Sequence, residues 1–405
     1  MADEDTTLNG ERQKGLTRRE LMRAGAGLGA GLLLGPTLLA ACGSSTSSGA
    51  SASASPTSVA GTINFYSWQT YDLPYPPMKK WLKDNGIKLN ARYVSNGDDI
   101  TTMFTTGGGK GLYNLSTYGA PFASLFKKLN IIQPLDLSRI PNYNSDIFSF
   151  FRTGPVWANN WNIDGQQLGI PFSWGWSATN YDSSKVPPPK KATDLLKAPY
   201  KGKFGMTDDM QGLITQGALI AGLADIKTNP NMHYTKAQLT QIFAVLKEFK
   251  AASYRANMAF GDVANLYNSG AIVASLTTFP GFNTMVPGME QVVKSVIVEE
   301  GALGYCDSYF LPQGSKDEQS VYAWLNEICT PTMQVSIAQD AVAGVTNSKT
   351  PPLLTPEFRN MFPYDNLGTF FDKCPLFGIP TDVQQGGSIM TYQDWTTAWE
   401  AFKNA

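Results

Sequence analysis

The chain has 405 residues, 42% hydrophobic and 16% charged, with 32 basic against 33 acidic side chains and a formal net charge of −1. That length suits two or three domains with sizeable cores, and the balanced charge gives no basic excess for nucleic acid. Beyond the N-terminal segment no apolar run is long enough to span a bilayer, so membrane contact is expected through an anchor only.

The first organised stretch runs from Thr17 to Cys42, TRRELMRAGAGLGAGLLLGPTLLAAC. A charged flank, an apolar segment and a small-residue cleavage site make an export signal rather than a domain element. The paired Arg18 and Arg19 match a twin-arginine signal, an address read by a receptor. The ending Leu39-Ala40-Ala41-Cys42 resembles the lipobox of bacterial lipoproteins, in which the cysteine is acylated and becomes the mature N-terminus; an uncleaved membrane anchor is the alternative. Cleavage before Cys42 removes five basic and five acidic side chains and leaves the net charge at −1. The run Gly25-Ala26-Gly27-Leu28-Gly29 imitates a nucleotide loop, but no strand precedes it. Residues 43–60 are too poor in apolar side chains to fold and are expected to tether the body to the membrane. As a Gly/Ser-type coil they would span roughly 20–25 Å.

From Thr62 the pattern becomes that of a folded domain. Thr62–Trp68 is β-rich, Pro76-Pro77 opens a helix with Gly86 as its stop, and Ile87, Leu89, Ala91 and Tyr93 alternate as a half-buried strand. A helix near Asp98–Phe104, a strand near Leu112–Tyr118 and a helix near Phe122–Leu129 follow. Strands alternating with helices predict a mostly parallel α/β sheet. The run Gly107-Gly108-Gly109-Lys110-Gly111 lacks the Ser/Thr after lysine that a phosphate loop requires and reads as a turn. Residues 140–166 look irregular, and Gly169–Tyr181 reads as one long strand with Trp174 and Trp176 on the same face. A short strand then ends in Asp208 and Asp209, and a helix over Met210–Leu223 begins at once. Thr235-Lys236-Ala237-Gln238 is a capping box opening a helix with Leu239, Ile242, Phe243, Leu246 and Phe249 on one face. A helical turn at Asp262–Asn268, strands at Ala271–Thr278, Val296–Val298 and Leu303–Leu311, and a helix over Asp317–Cys329 complete the regular pattern. Thr330 and Pro331 then fit the cap and first position of another helix, ending near Gly344. The tail is Pro-rich and then helical around Tyr392–Phe402.

Single-site enzyme chemistry is hard to assemble from these residues. The one histidine, His233, lies in a loop-like stretch with no Gly-x-Ser-x-Gly elbow to accompany it, and zinc-ligand spacing is absent. No cofactor or metal site is expected. A pair of carboxylates acting as acid and base in an exported hydrolase stays open. With Cys42 lipidated, Cys306, Cys329 and Cys374 remain, which allows one disulfide and a free thiol or three buried thiols.

Several segments, in order, resemble one family. KAPYKGKFGMTDD (Lys197–Asp209) is similar to the PEYKG…DD segment of bacterial spermidine/putrescine-binding proteins, and EGALGYCDSYFLP (Glu300–Pro312) to their EG…DS…IP segment. Phe65-Tyr66-Ser67-Trp68 with Tyr71 resembles their FYNW..Y opening. Tyr93-Val94-Ser95-Asn96 matches Y.SN, and Ile170–Gly175 matches PY.WG. The resemblance implies an exported, lipid-anchored, monomeric solute-binding protein that serves an ABC importer permease. Its implied fold is α/β and two-lobed, of the type II periplasmic-binding-protein kind, with the ligand cleft between lobes joined by crossing strands. Residues 61–175 plus 308–350 would form one lobe and 176–307 plus 351–405 the other, with Phe172–Ala178 and Leu303–Tyr309 as hinge strands.

A linear polyamine is a flexible polycation, so its cleft needs carboxylates for the ammonium groups and aromatic faces for the methylenes. Carried over by position, the resemblance makes Trp68 and Tyr71 aromatic walls, Asp209 an acid of the second lobe, Asp307 the central acid, and Tyr305 the replacement for a family tryptophan. Each also has a structural reading: Asp208 or Asp209 as a helix cap, Asp307 as a strand-end residue, Trp68 and Tyr71 as core aromatics. Trp174 and Trp176 fit packing better than ligand contact. Gly212 stands where the family has a second acid, Tyr118–Phe122 replaces its PS.YY loop, and Phe279 is the nearest aromatic after the strand at Ala271–Thr278. The missing acid implies a ligand with fewer ammonium groups, or compensation by an acid such as Asp98 or Asp99. A binding protein of the same fold for a sugar, amino-acid derivative or opine is the alternative.

Overall fold

A computed structural model of the protein describes residues 59–94, 98–381 and 388–405. The export signal, Cys42 and the tether up to Ser58 lie outside them, as do Ser95 and Asn96. In chain order the strands are β1 (Gly61–Ser67), β2 (Ile87–Tyr93), β3 (Leu115–Gly119), β4 (Ile132–Gln133), β5 (Asn162–Ile163), β6 (Gln166–Gln167) and β7 (Ile170–Trp176). They continue with β8 (Ala178–Asp182), β9 (Phe204–Thr207), β10 (Arg255–Met258), β11 (Ala274–Thr278), β12 (Val293–Val296), β13 (Gly304–Pro312) and β14 (Gly344–Val345).

Two sheets organise these strands. The first has the order β14-β7-β13-β3-β1-β2 with β4 beside β13, and the second β10-β9-β11-β8-β12. β1 runs parallel to β2 and β3, while β13 runs antiparallel to β3 and β7. In the second sheet β9, β10 and β11 are parallel, and β8 is antiparallel to both β11 and β12. Every residue of β7 is buried, as expected of a strand covered on both faces. β2 differs from its expected half-buried alternation. Only Ile87 is buried, and Ala91 and Tyr93 are exposed because the strand forms the sheet edge.

Local signals set most helix boundaries. The Thr235 box is made, with the Thr235 N–H bonded to the Gln238 side chain at 2.9 Å, and the five predicted apolar residues of helix Lys236–Ala252 are its buried ones. Thr330 caps helix Pro331–Asp340, which stops short of Gly344 with Val342 left-handed (φ 51°). Residues 140–166 are more regular than expected: they hold helices Pro141–Asp146 and Gly154–Asn160 and the β5–β6 hairpin. The Pro-rich tail also contains helices Pro356–Met361 and Leu367–Lys373.

The predicted strand Gly169–Tyr181 is two strands in two sheets, broken at Ser177. A second passage runs between Val298, packed in the second core, and β13 in the first sheet; a third lies between Cys374 and Phe377. Backbone bonds from Ser177 N to Leu303 O (2.8 Å) and from Gly304 N to Pro375 O (2.9 Å) tie the three passages together. A Cβ on Gly304 would lie 2.0 Å from the Cys374 carbonyl oxygen, so only glycine permits that approach. Core membership departs from the expected halves. Phe362, Tyr364, Phe370 and Phe371 pack in the first core although residues 351–405 were expected in the second lobe, and Phe377, Trp395, Trp399 and Phe402 pack in the second. Likewise the whole of β13, not only its part from residue 308, belongs to the first sheet. Aromatic packing against Trp174 draws the tail back before it crosses. Cys306, Cys329 and Cys374 are buried free thiols.

Candidate functional site

The strand directions bring two sheet edges together. In the first sheet the chain leaves β1, β2, β3 and β7 at the edge where β13 begins, since β13 is antiparallel to β3 and β7 and Asp307 pairs with Gly119 at the end of β3. In the second sheet β8 starts where β11 ends, with Ala178 opposite Thr278. The step from Trp176 through Ser177 to Ala178 therefore joins the carboxyl edge of one sheet to the carboxyl edge of the other. Open α/β sheets take ligands at such edges.

Asp307 stands at this junction. It pairs with Ser173 across the β7–β13 ladder, and Tyr305 pairs with Gly175 one step along the same face. The Tyr71 hydroxyl, brought in by the loop after β1, donates to Asp307 Oδ2. Burial pushes the Asp307 carboxyl up to about 6, while hydrogen bonds from Tyr71 and Ser173 pull it down. The Tyr71 ring meets Phe172 edge-on at 5.0 Å, and the Tyr309 hydroxyl donates to the Tyr71 carbonyl oxygen. A register shift between Asp307 and Ser308 leaves Phe172 as the extra residue of β7 and presses it onto the Tyr309 ring at 4.2 Å. The Tyr305 ring lies over Gly175, where a Cβ would come within 2.5 Å of its hydroxyl oxygen.

Asp209 stands on the opposing edge and is indeed a helix cap. It follows β9, and its Oδ1 accepts the Gly212 N–H at 3.0 Å at the start of helix Met210–Ile220. Its Oδ2 lies 3.5 Å from the Ser177 hydroxyl, in the passage between the sheets. Burial pushes its carboxyl up to about 6 and nearby Asp208 adds to the rise, against the bonds from Gly212 and Ser177. Asp208 instead lies 3.8 Å from the Lys403 ammonium. Among the described residues, none of the ion pairs includes Asp209 or Asp307. The two carboxyls are thus anchored at Ser177 and Ser173, four residues apart on an extended chain, or roughly 13 Å.

The other sequence-derived candidates divide between rim and core. Trp68 is 37% exposed at the end of β1. Trp174 and Trp176 face away from Asp307 and pack against Phe362 and Phe370. Tyr118 of the replaced loop is buried, whereas Phe122 is half-buried and meets Tyr392 edge-on at 6.0 Å, a contact between the two lobes. Phe279 packs edge-on to Phe260 at 5.4 Å.

Three residues at these edges were not selected from sequence. Phe260 follows β10 and is 41% exposed. Tyr93 ends β2, and its hydroxyl donates to Asp72 Oδ2 at 2.8 Å. Asp72 is buried directly after Tyr71 and burial raises its carboxyl, so it links the Tyr71 loop to β2. The available signal was position: each aromatic lies at the end of a parallel strand. Thr277, left-handed at φ 59° inside β11, is a backbone outlier for a β-branched residue and is braced by the Thr207 hydroxyl, which donates to its carbonyl oxygen at 2.9 Å. Among the described residues no three His, Cys, Asp or Glu side chains gather as a metal site.

Comparison with known proteins places this geometry in context. The chain is 23% identical over 305 residues to the spermidine/putrescine-binding periplasmic protein of Escherichia coli, covering 74% of this chain and 81% of that protein. A solved structure described as a putative spermidine/putrescine ABC transporter from Listeria monocytogenes superposes with a TM-score of 0.67 at 17% identity, over 84% of this chain and 98% of that one. The Tp0655 lipoprotein of Treponema pallidum superposes with the same TM-score and identity, over 84% and 99%. The fold is therefore the two-lobed α/β fold of periplasmic binding proteins. Residues 78–358 match the sequence profile of bacterial extracellular solute-binding proteins, and with most of its folded body inside that match the chain belongs to that family.

Proposed function

We propose that the protein is the substrate-binding component of an ABC importer and captures a polyamine or a related small cation in the cleft between its two sheet edges. One observation carries this reading. Asp307 and Asp209 face the junction of the edges with carboxyls pushed up to about 6, and no internal cation is paired with either among the described residues. A partly buried acid with no counter-charge is costly, and an ammonium group supplies the missing charge. Tyr71 and Tyr305 beside Asp307, with Trp68 at the rim, offer aromatic faces to methylenes and cations. In this reading Trp68, Tyr71, Asp209, Tyr305 and Asp307 touch the ligand, and closure is a hinge motion about the three passages between lobes. The names of the relatives in Escherichia coli and Listeria support the choice of amine.

The protein binds and does not catalyse, acts as a monomer, and meets its permease while held to the outer face of the membrane by lipid on Cys42, after twin-arginine export. The Leu39–Cys42 sequence and the Arg18–Arg19 pair support that placement. Calorimetric titration with putrescine and spermidine tests the ligand class. Saturable binding at micromolar ligand is expected. Flat heats at millimolar amine, with binding of an uncharged sugar, would leave the transport role standing and replace the ligand.

A further inference from the structure

Gly212 is buried in the first turn of helix Met210–Ile220, with its N–H bonded to Asp209. A Cβ built on it would lie 2.0 Å from Asp209 Oδ2, 2.8 Å from its Cγ and 3.0 Å from the Ser177 hydroxyl. The Asp209 carboxyl therefore occupies the volume that any side chain at position 212 would need. Elsewhere in a helix glycine is unfavourable relative to alanine. Here its lack of a side chain lets the carboxyl fold back over the helix and reach toward Ser177.

We propose that Gly212 is a positioning residue for ligand specificity: by leaving that volume empty it fixes where the second-lobe carboxylate stands, and so sets the spacing of cationic groups that the cleft accepts against Asp307. This rests on the amine-binding reading above. A side chain at 212 forces Asp209 into another rotamer, away from Ser177 and out of line with Asp307. The helix itself would gain from alanine, so a loss of binding on that substitution runs against the intrinsic propensity.

A double-mutant cycle in putrescine affinity tests this, using Gly212→Ala, Asp209→Ala and the pair, each in the otherwise intact protein. Gly212→Ala is expected to weaken putrescine binding by at least about tenfold alone and by less than about twofold when Asp209 is already alanine, because the two atoms closer than 3.0 Å, both of Asp209, are gone and only the Ser177 hydroxyl remains in contact. Equal losses in the two backgrounds would overturn the proposal while leaving the amine reading intact. A wild-type protein with no putrescine affinity would overturn both. Should Gly212→Ala alone fail to fold, folding of the double variant supports the proposal, and failure of both single and double variants overturns it, since Gly212 would then be required for a reason other than the Asp209 carboxyl.

Discussion

The two faces of the β7–β13 ribbon are made by alternate residues of the same strands and do opposite work. On one face Trp174 and Trp176 are enclosed by Phe362, Phe370 and, at Trp174, Phe371 and Tyr364, and the Trp174 N–H reaches the Val345 carbonyl at 2.8 Å. On the other, Ser173 and Gly175 are small and leave room for Asp307 and Tyr305. The period-two geometry of a strand lets a rigid apolar wall and a polar opening share one backbone. The closeness has a physical use. The aromatic wall fixes the strand, so the carboxyl opposite is held in place without being filled in.

That comparison is sharpened first by Trp174→Ala. Removing a fully buried indole is expected to cost about 3–5 kcal/mol of stability in denaturant unfolding. Amine affinity in the protein that remains folded should change little, and a selective loss of affinity at full stability would show that the two faces are not separable. The reverse is expected of Asp307→Asn. Loss of the charge should weaken amine binding by about 2–4 kcal/mol by calorimetry. Unfolding stability should hold or rise, because the charge that burial disfavours is gone.

Asp209→Asn is smaller on both counts. Asparagine still caps the helix, so stability should stay near wild type, while amine affinity should fall by about 1.5 kcal/mol, roughly tenfold. Tyr71→Phe removes the hydroxyl that favours the Asp307 carboxylate, which raises the Asp307 pKa further and should cost about 1 kcal/mol of affinity near neutral pH.

Acidity provides the most diagnostic effect. Both acids have folded pKa values of about 6 against an ordinary value of 3.8. A raised carboxyl pKa contributes stability that is fully present below the unfolded value and lost as pH rises through the folded one. The ligand-free protein should therefore lose stability from these groups between about pH 4 and 6, while amine affinity rises over that window and above it as the carboxylates form. Opposite slopes in thermal unfolding and in calorimetric affinity are expected. Parallel slopes would remove Asp209 and Asp307 from the ligand site.

Much of the fold was readable because its signals are local. The capping box at Thr235, the five apolar residues of its helix, Pro331 after Thr330, and the pairing of Trp174 with Trp176 on one face all follow from spacing within a few residues. The candidate site residues come from the order of short segments; Tyr305 and Asp307 lie together on β13, and the Tyr71 hydroxyl reaches Asp307 from the loop after β1. Asp72, Tyr93 and Phe260 were not selected, because their significance depends on which strand ends lie on the same edge. The tail between residues 354 and 374 packs in the first core, and its apolar residues by themselves suit either core. Only the shape of the Trp174 wall distinguishes them.

Local signals in the chain set the capped helices and most of the long strands, since hydrophobic period, caps and prolines act over one or two turns. The tertiary structure alone decided that the Asp209 cap leans into the space over Gly212, that it meets Ser177 at the passage between sheets, and that Asp307 accepts from a tyrosine 236 positions away. Those are contacts between distant segments. They depend on strand order and on steric exclusion at atomic scale, neither of which is encoded in any local run of residues.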